Sequence, residues 1–225
     1  MSAIQKQIGV DFADPALLVV ALTHQSYLNE NPEITGESNE RLEFLGDSAL
    51  NYIIGRYLYE RLPEKPEGDL TVRRSEAVRR ETLEKAARRI GMVELLVMGN
   101  GENSSGGAER SSNLANGFEA LIGAIVLDQG VERTWELVLE WLGPELQEIE
   151  VADTPKDPKS HLQELLQARG KRPPEYRVMD IQGPDNQPEF TVAAVIDGET
   201  MGTGKAGRKV DAERMAATEA AEALE

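Results

Sequence analysis

The chain has 225 residues, 40% of them hydrophobic, enough for one large core or two smaller ones. It carries no cysteine and two histidines, which excludes a disulfide framework, thiolate chemistry and any cysteine-based zinc site. A net charge of −16 argues against a broad nucleic-acid surface. Residues 1–156 hold 15 Lys/Arg against 27 Asp/Glu, and residues 157–225 hold 9 against 13. Neither part is basic, so any RNA-binding surface has to be a local patch.

The N-terminus lacks the basic and apolar regions of a signal peptide, and no unbroken apolar run reaches the roughly 18 residues of a membrane span. The expectation is a cytoplasmic protein with no membrane partner. From Ile4 to Leu18 the pattern is helical in short segments, and Leu17 to Leu22 continues it after Pro15. A polar stretch then runs to Ser38 and reads as loop.

From Asn39 to about Leu62 there is no proline, and the spacing predicts one helix, with Ser38 or Asn39 as its side-chain cap. At about 100° per residue, Glu40, Glu43 and Asp47 fall within roughly a 60° arc. Leu42, Leu45, Ala49, Tyr52 and Ile53 cover the other sides, the composition of a helix buried all round. Carboxylates stacked on a buried helix repel one another and lose hydration. They need a cation against them or raised pKa values.

Pro63 to Gly68 ends that helix, and Leu70 to Ile90 is a further helical pattern rich in arginine. Those arginines have two readings: a solvated face paired with Glu76 and Glu84, or a phosphate-facing row. Gly99 to Gly107 lacks the lysine spacing of a phosphate loop and reads as a connector. Asn113 to Leu127 is a second apolar helix. Asn116 and Glu119 share one of its faces, and Ala120, Gly123 and Ala124 are small enough for another helix to come close. Trp135 to Leu146 supplies one more helix.

The charged, proline-containing stretch around residues 151–156 reads as a linker between a helical domain, 1–150, and a second domain, 157–225. In that second domain Ser160 to Arg169 is helical. Tyr176 to Ile181, Glu189 to Ile196 and Glu199 to Gly202 alternate as strands, and a helix from about Asp211 to Leu224 closes the chain. The fold class is therefore all-α followed by a small α+β domain of order α-β-β-β-α.

Glu43, Asp47, Asn116 and Glu119 together form an all-oxygen set on two neighbouring helices. Oxygen ligands suit Mg²⁺ or Mn²⁺, and such a site supports metal-assisted phosphodiester hydrolysis. Solvated or salt-bridged carboxylates remain the alternative at this point.

The run N-E-R-L-E-F-L-G-D at 39–47 resembles the signature of bacterial ribonuclease III, the double-stranded RNA endonuclease. The likeness extends to T-H-Q-S-Y at 23–27, P-E-G-D at 66–69, S-G-G at 105–107 and F-E-A-L-I-G-A at 118–124. From D-P-K-S-H-L-Q-E at 157–164 to A-E-R-M-A-A at 212–217 the chain resembles a double-stranded RNA-binding domain.

The resemblance implies Mg²⁺-dependent cleavage, with Mn²⁺ as substitute, that leaves 5′-phosphates and 3′-hydroxyls with two-nucleotide 3′ overhangs. It implies roles in ribosomal RNA precursor processing and mRNA turnover. Asp47 and Glu119 match the catalytic carboxylates, Glu43 a further metal ligand, and Glu40 and Glu67 accessory acidic positions. Phe44 matches the aromatic that enters the partner subunit of a homodimer. Where the family has aspartate, this chain has Asn116, an oxygen ligand without charge. The competing reading that follows is a weakened enzyme that only binds duplex RNA.

In the second domain the resemblance places Ser160, Gln163, Glu164 and Gln167 toward the RNA minor groove, with Asn186 at the position of the family's loop histidine. The basic cluster before the last helix is one residue longer here. It leaves Lys205, Arg208 and Lys209 as phosphate candidates, or else as a solvated loop.

Overall fold

The computed structural model describes residues 2–152, 157–184 and 188–224. The chain divides into two compact units, residues 1–154 and 155–225. In the first, α1 (Ser2–Ile8), α2 (Pro15–Leu22) and α3 (Gln25–Glu30) lead into α4 (Glu40–Arg61). Then follow α5 (Glu67–Ala77), α6 (Arg80–Arg89), α7 (Asn100–Ser104), α8 (Ser111–Trp141) and α9 (Gly143–Val151).

The core lies where α4 crosses α8, and α2 and α6 close over α8. Leu50, Ile53, Ile54 and Leu58 of α4 are buried against Leu114, Phe118, Leu121, Ile122 and Ile125 of α8. By length and composition α8 could cross a membrane, the one such helix among the described residues. Its apolar side chains are instead those of the core.

Several expectations change. The helix at 39–62 is present, but Asn39 makes no side-chain cap, and the Ser38 hydroxyl turns to the Glu40 carboxylate at 2.9 Å. That helix is not buried all round: Phe44, Tyr52 and Tyr59 stand in solvent on the face opposite Leu50 and Ile54. The polar stretch after Thr23 contains α3, whose first turn is capped by the His24 ring accepting from the Ser26 N–H.

The single helix expected over 70–90 is two helices, broken at Val78 and Arg79. Arg79 there is extended and pairs with Glu76 at 2.7 Å. α8 is two helical segments that meet at Gly130 (φ 82°), a conformation glycine adopts without a Cβ penalty. The helix expected over 135–146 is therefore separate from the one before it, but it divides at Leu142 into the end of α8 and α9.

The arginines of α5 and α6 serve mainly structure. Arg73 is buried and donates to the carbonyls of Ile149 and Ala152, at the C-terminal end of α9, where carbonyls lack helical partners. Arg88 pairs with Glu84, and Arg89 with Glu145.

The second unit is α10 (Pro158–Ala168), β1 (Glu175–Gln182), β2 (Glu189–Ile196), β3 (Glu199–Ala206) and α11 (Lys209–Glu222). The strands form one antiparallel sheet of order β1-β2-β3, with both helices over one face. The turn at Asp197 and Gly198, both with positive φ, joins β2 to β3. β3 extends four residues beyond the sequence expectation. A Cβ on Gly202 or Gly204 would lie 2.4 or 2.1 Å from the carbonyls of Ala216 and Ala212, so the strand runs directly against α11. Alanines on that side of the helix make the approach feasible.

Candidate active site

The geometry of the site begins with two glycines. A Cβ on Gly46 would lie 1.7 Å from the Glu119 carbonyl oxygen, and one on Gly123 would lie 2.2 Å from that of Leu42. α4 and α8 therefore meet backbone to backbone. Glu43 and Asp47 flank Gly46, and Asn116 and Glu119 lie in the turns before Gly123. The crossing brings the four side chains to one rim.

Their electrostatics record that proximity. Burial first, then the charges of Asp47 and Glu43, push Glu119 from 4.5 up to about 7. Glu43 is also raised, by burial and by Glu40 and Asp47, against the hydrogen bond from Asn116, which favours its charged form. Asp47 is exposed and accepts from the Asn51 side-chain amide at 2.9 Å. Asn116 thus favours the charged form of Glu43, which a second carboxylate could not do.

Among the described residues no three His, Cys, Asp or Glu groups already converge tightly enough to hold a metal ion. The donor chemistry nevertheless fits a hard divalent cation. The set is all oxygen, it is crowded with like charge, and burial together with that charge raises one of its carboxyls to about 7.

A cavity of about 220 Å³ opens beside this rim, lined by His24, Gln25, Asn39, Glu40, Glu43 and Asn116. The His24 Nδ1 lies 2.8 Å from the Ser26 hydroxyl, which fixes the ring. His24, Gln25 and Asn39 were not among the expected site residues. The only sequence signal for the first two was their place in the T-H-Q-S-Y run.

Glu67 is elsewhere: it opens α5 beyond the far end of α4, roughly 20 Å of helix from Asp47 within one chain. It accepts from the Thr71 hydroxyl at 2.9 Å. Phe44 is 78% exposed, so ordinary core packing does not account for it.

In the second unit Ser160, Gln163, Glu164 and Gln167 share the exposed side of α10, opposite buried Leu162 and Leu166. Asn186 lies outside the described residues. Lys205, Arg208 and Lys209 are exposed, and each is paired within the chain. Lys205 meets Glu189 at 3.0 Å, Arg208 meets Asp211 at 2.6 Å, and Lys209 meets Glu213 at 3.8 Å.

A family model described as Ribonuclease-III-like matches residues 14–146, and one described as double-stranded RNA binding motif matches residues 158–224. The chain belongs to the ribonuclease III family. It is 44% identical over 227 aligned residues to Ribonuclease 3 of Pseudomonas paraeruginosa, covering 100% of this chain and 95% of that one. It is 40% identical over 222 residues to Ribonuclease 3 of Carboxydothermus hydrogenoformans, covering 99% and 94%.

Among solved structures, the nuclease domain of ribonuclease III from Campylobacter jejuni superposes with a TM-score of 0.58 at 33% identity. That match covers 63% of this chain and 94% of the other, whose description mentions a region involved in dimer formation. As a ribonuclease III the chain is a double-stranded RNA endoribonuclease of a family that uses divalent metal. Its helical nuclease domain and α-β-β-β-α RNA-binding domain agree with the fold read from sequence.

Proposed function

We propose that this ribonuclease III cleaves duplex RNA with Mg²⁺, or Mn²⁺ in its place, at the rim formed by Glu43, Asp47, Asn116 and Glu119. The observation that carries this reading is the Gly46–Gly123 crossing, which sets four oxygen-bearing side chains together with like charge uncompensated. Glu43, Asp47, Asn116 and Glu119 would hold the ion, which would supply charge neutralisation and water activation for hydrolysis. Asp47 and Glu119 bear most directly on catalysis, and Glu40 and Glu67 are accessory acids lining the RNA path.

Asn116 contributes an oxygen but no charge, so Mg²⁺ binds more weakly here than at an all-carboxylate site. It also favours the charged form of Glu43. The products carry 5′-phosphates and 3′-hydroxyls with two-nucleotide 3′ overhangs.

The working form is a homodimer, supported by the exposed Phe44 on α4. A two-fold partner also answers the placement of Glu67, which is remote from Asp47 within one chain. In the second domain, the Ser160, Gln163, Glu164 and Gln167 face and Asn186 read the minor groove, and Lys205, Arg208 and Lys209 meet phosphates. The setting is cytoplasmic, and the substrates are ribosomal RNA precursors and structured messages.

Cleavage of a uniformly labelled RNA hairpin, with and without Mg²⁺ and beside Glu119→Ala, tests this. Mg²⁺-dependent staggered cuts that the variant loses are expected. Tight hairpin binding without cleavage in either Mg²⁺ or Mn²⁺ would instead establish a binding protein silenced by Asn116.

A further inference from the structure

The phosphate candidates of the C-terminal domain are not free cations waiting for RNA. Arg208, just before α11, is clasped by Asp211 through two hydrogen bonds, Nε to Oδ2 at 2.6 Å and Nη2 to Oδ1 at 3.1 Å. This is the fork geometry with which a guanidinium meets a phosphate. Asp211 also lies 4.0 Å from Arg214, and Arg214 in turn donates to Asp157, the cap of α10. Beside this chain runs a second one, in which Glu213 joins Lys159 at 2.7 Å and Lys209 at 3.8 Å. Lys205 is held across the sheet by Glu189.

Of these carboxylates Asp211 is the one placed to compete. It sits in the first turn of α11, where free N–H groups and the helix dipole favour an anion. It therefore places its charge at the helix terminus and pairs with Arg208, the two features with which this surface would receive a phosphate. Arg208 is 80% exposed, so the pair adds little to folding, and its consequence lies in binding. A phosphate that takes Arg208 must displace Asp211 and then remain beside its charge.

We propose that Asp211 is an affinity-setting residue for duplex RNA, a built-in carboxylate competitor that holds Arg208 off the phosphate backbone and keeps the domain a weak, readily released RNA binder. The proposal rests on the reading of Lys205, Arg208 and Lys209 as phosphate contacts.

The test is anisotropy of a fluorescent RNA duplex titrated with the full-length chain in EDTA, which prevents metal-dependent cleavage during the measurement. Asp211→Asn, with Asp211→Ser as a second variant that keeps a polar first turn, should tighten binding about three- to tenfold at physiological salt.

Glu175→Gln makes the same change in net charge. Glu175 faces Val195 at the end of the sheet away from Lys205, which faces Thr191, so it should change affinity less than about twofold. Adding Arg208→Ala to Asp211→Asn should abolish the gain. Equal affinity of both Asp211 variants and the parent overturns the proposal. So does an equal gain from Glu175→Gln, which would make the effect one of net charge, or a gain that survives Arg208→Ala. If the parent chain and every variant fail to bind duplex RNA, the phosphate-contact reading itself falls, a result distinct from equal, measurable affinities.

Discussion

The two domains handle charge in opposite ways. At the α4–α8 crossing, carboxylates of one sign are pressed together beside a core, and the strain appears in Glu119, held near pKa 7. On the RNA-binding domain, charges of both signs alternate across an exposed surface and neutralise one another, as in Arg214–Asp211–Arg208. The first arrangement concentrates charge of one sign, while the second is balanced from within the chain. A half-buried cluster of like charge is eased by protonation or by a cation brought against it. An exposed alternating one can exchange partners at small cost.

The largest expected effect probes the contact that creates the first arrangement. Gly46→Ala or Gly123→Ala places a methyl inside the van der Waals radius of a backbone carbonyl that cannot move alone. Either should cost about 3 kcal/mol or more in chemical denaturation, with loss of cleavage. Gly36→Ala, where a Cβ would meet nothing within 4 Å, should stay within about 0.5 kcal/mol of the parent. A mild Gly46→Ala would mean that α4 and α8 do not meet backbone to backbone at this point.

Next comes Glu119→Gln, which should lower cleavage by at least about a hundredfold while stabilising the metal-free protein. Between pH 4.5 and about 7 the folded protein holds a proton on Glu119 that the unfolded chain releases. Stability therefore falls as pH rises through that window, and the loss is complete above it. The variant escapes that loss, a gain on the order of 1–2 kcal/mol above neutral pH after allowing for solvent screening. Thermal melts in EDTA at acidic and alkaline pH check the sign. A variant less stable than the parent at alkaline pH would contradict the crowding of like charge.

Asn116→Asp should lower the Mg²⁺ concentration for half-maximal cleavage, by roughly three- to tenfold for one added ligand charge. An unchanged or higher requirement would count against a metal role for position 116. The smallest effects belong to the exposed domain. Alanine at Lys205 or Lys209 should weaken duplex binding about two- to fivefold at moderate salt and reduce the salt slope by about one for each phosphate left without its lysine. An unchanged slope would leave those lysines as solvated surface charges that touch no phosphate.

The family, the two-domain fold and the strands of the second domain were all legible in the sequence. Helical periodicity, strand alternation and a nine-residue signature are local patterns, and the α4 face follows from the helix period alone. The break at Val78 and Arg79 was not legible, because neither residue is a helix breaker. Arg79 is extended there and pairs with Glu76, and the Thr82 hydroxyl bonds the Glu76 carbonyl at 2.8 Å. α3 was hidden in polar residues, since its cap is a histidine ring and it buries no side chain fully.

What the sequence determined by itself is the set of parts: which residues carry oxygen, which helices are apolar, and where small residues permit an approach. What only the tertiary structure decided is which of those parts act on one another. Glu119 is perturbed because α8 crosses α4 at two glycines, and Glu67 lies apart because it follows the far end of α4. Arg208 is occupied because Asp211 lies one helical turn away on the same side. Charge interactions depend on distance and on the surrounding medium, and both are set by packing rather than by position along the chain.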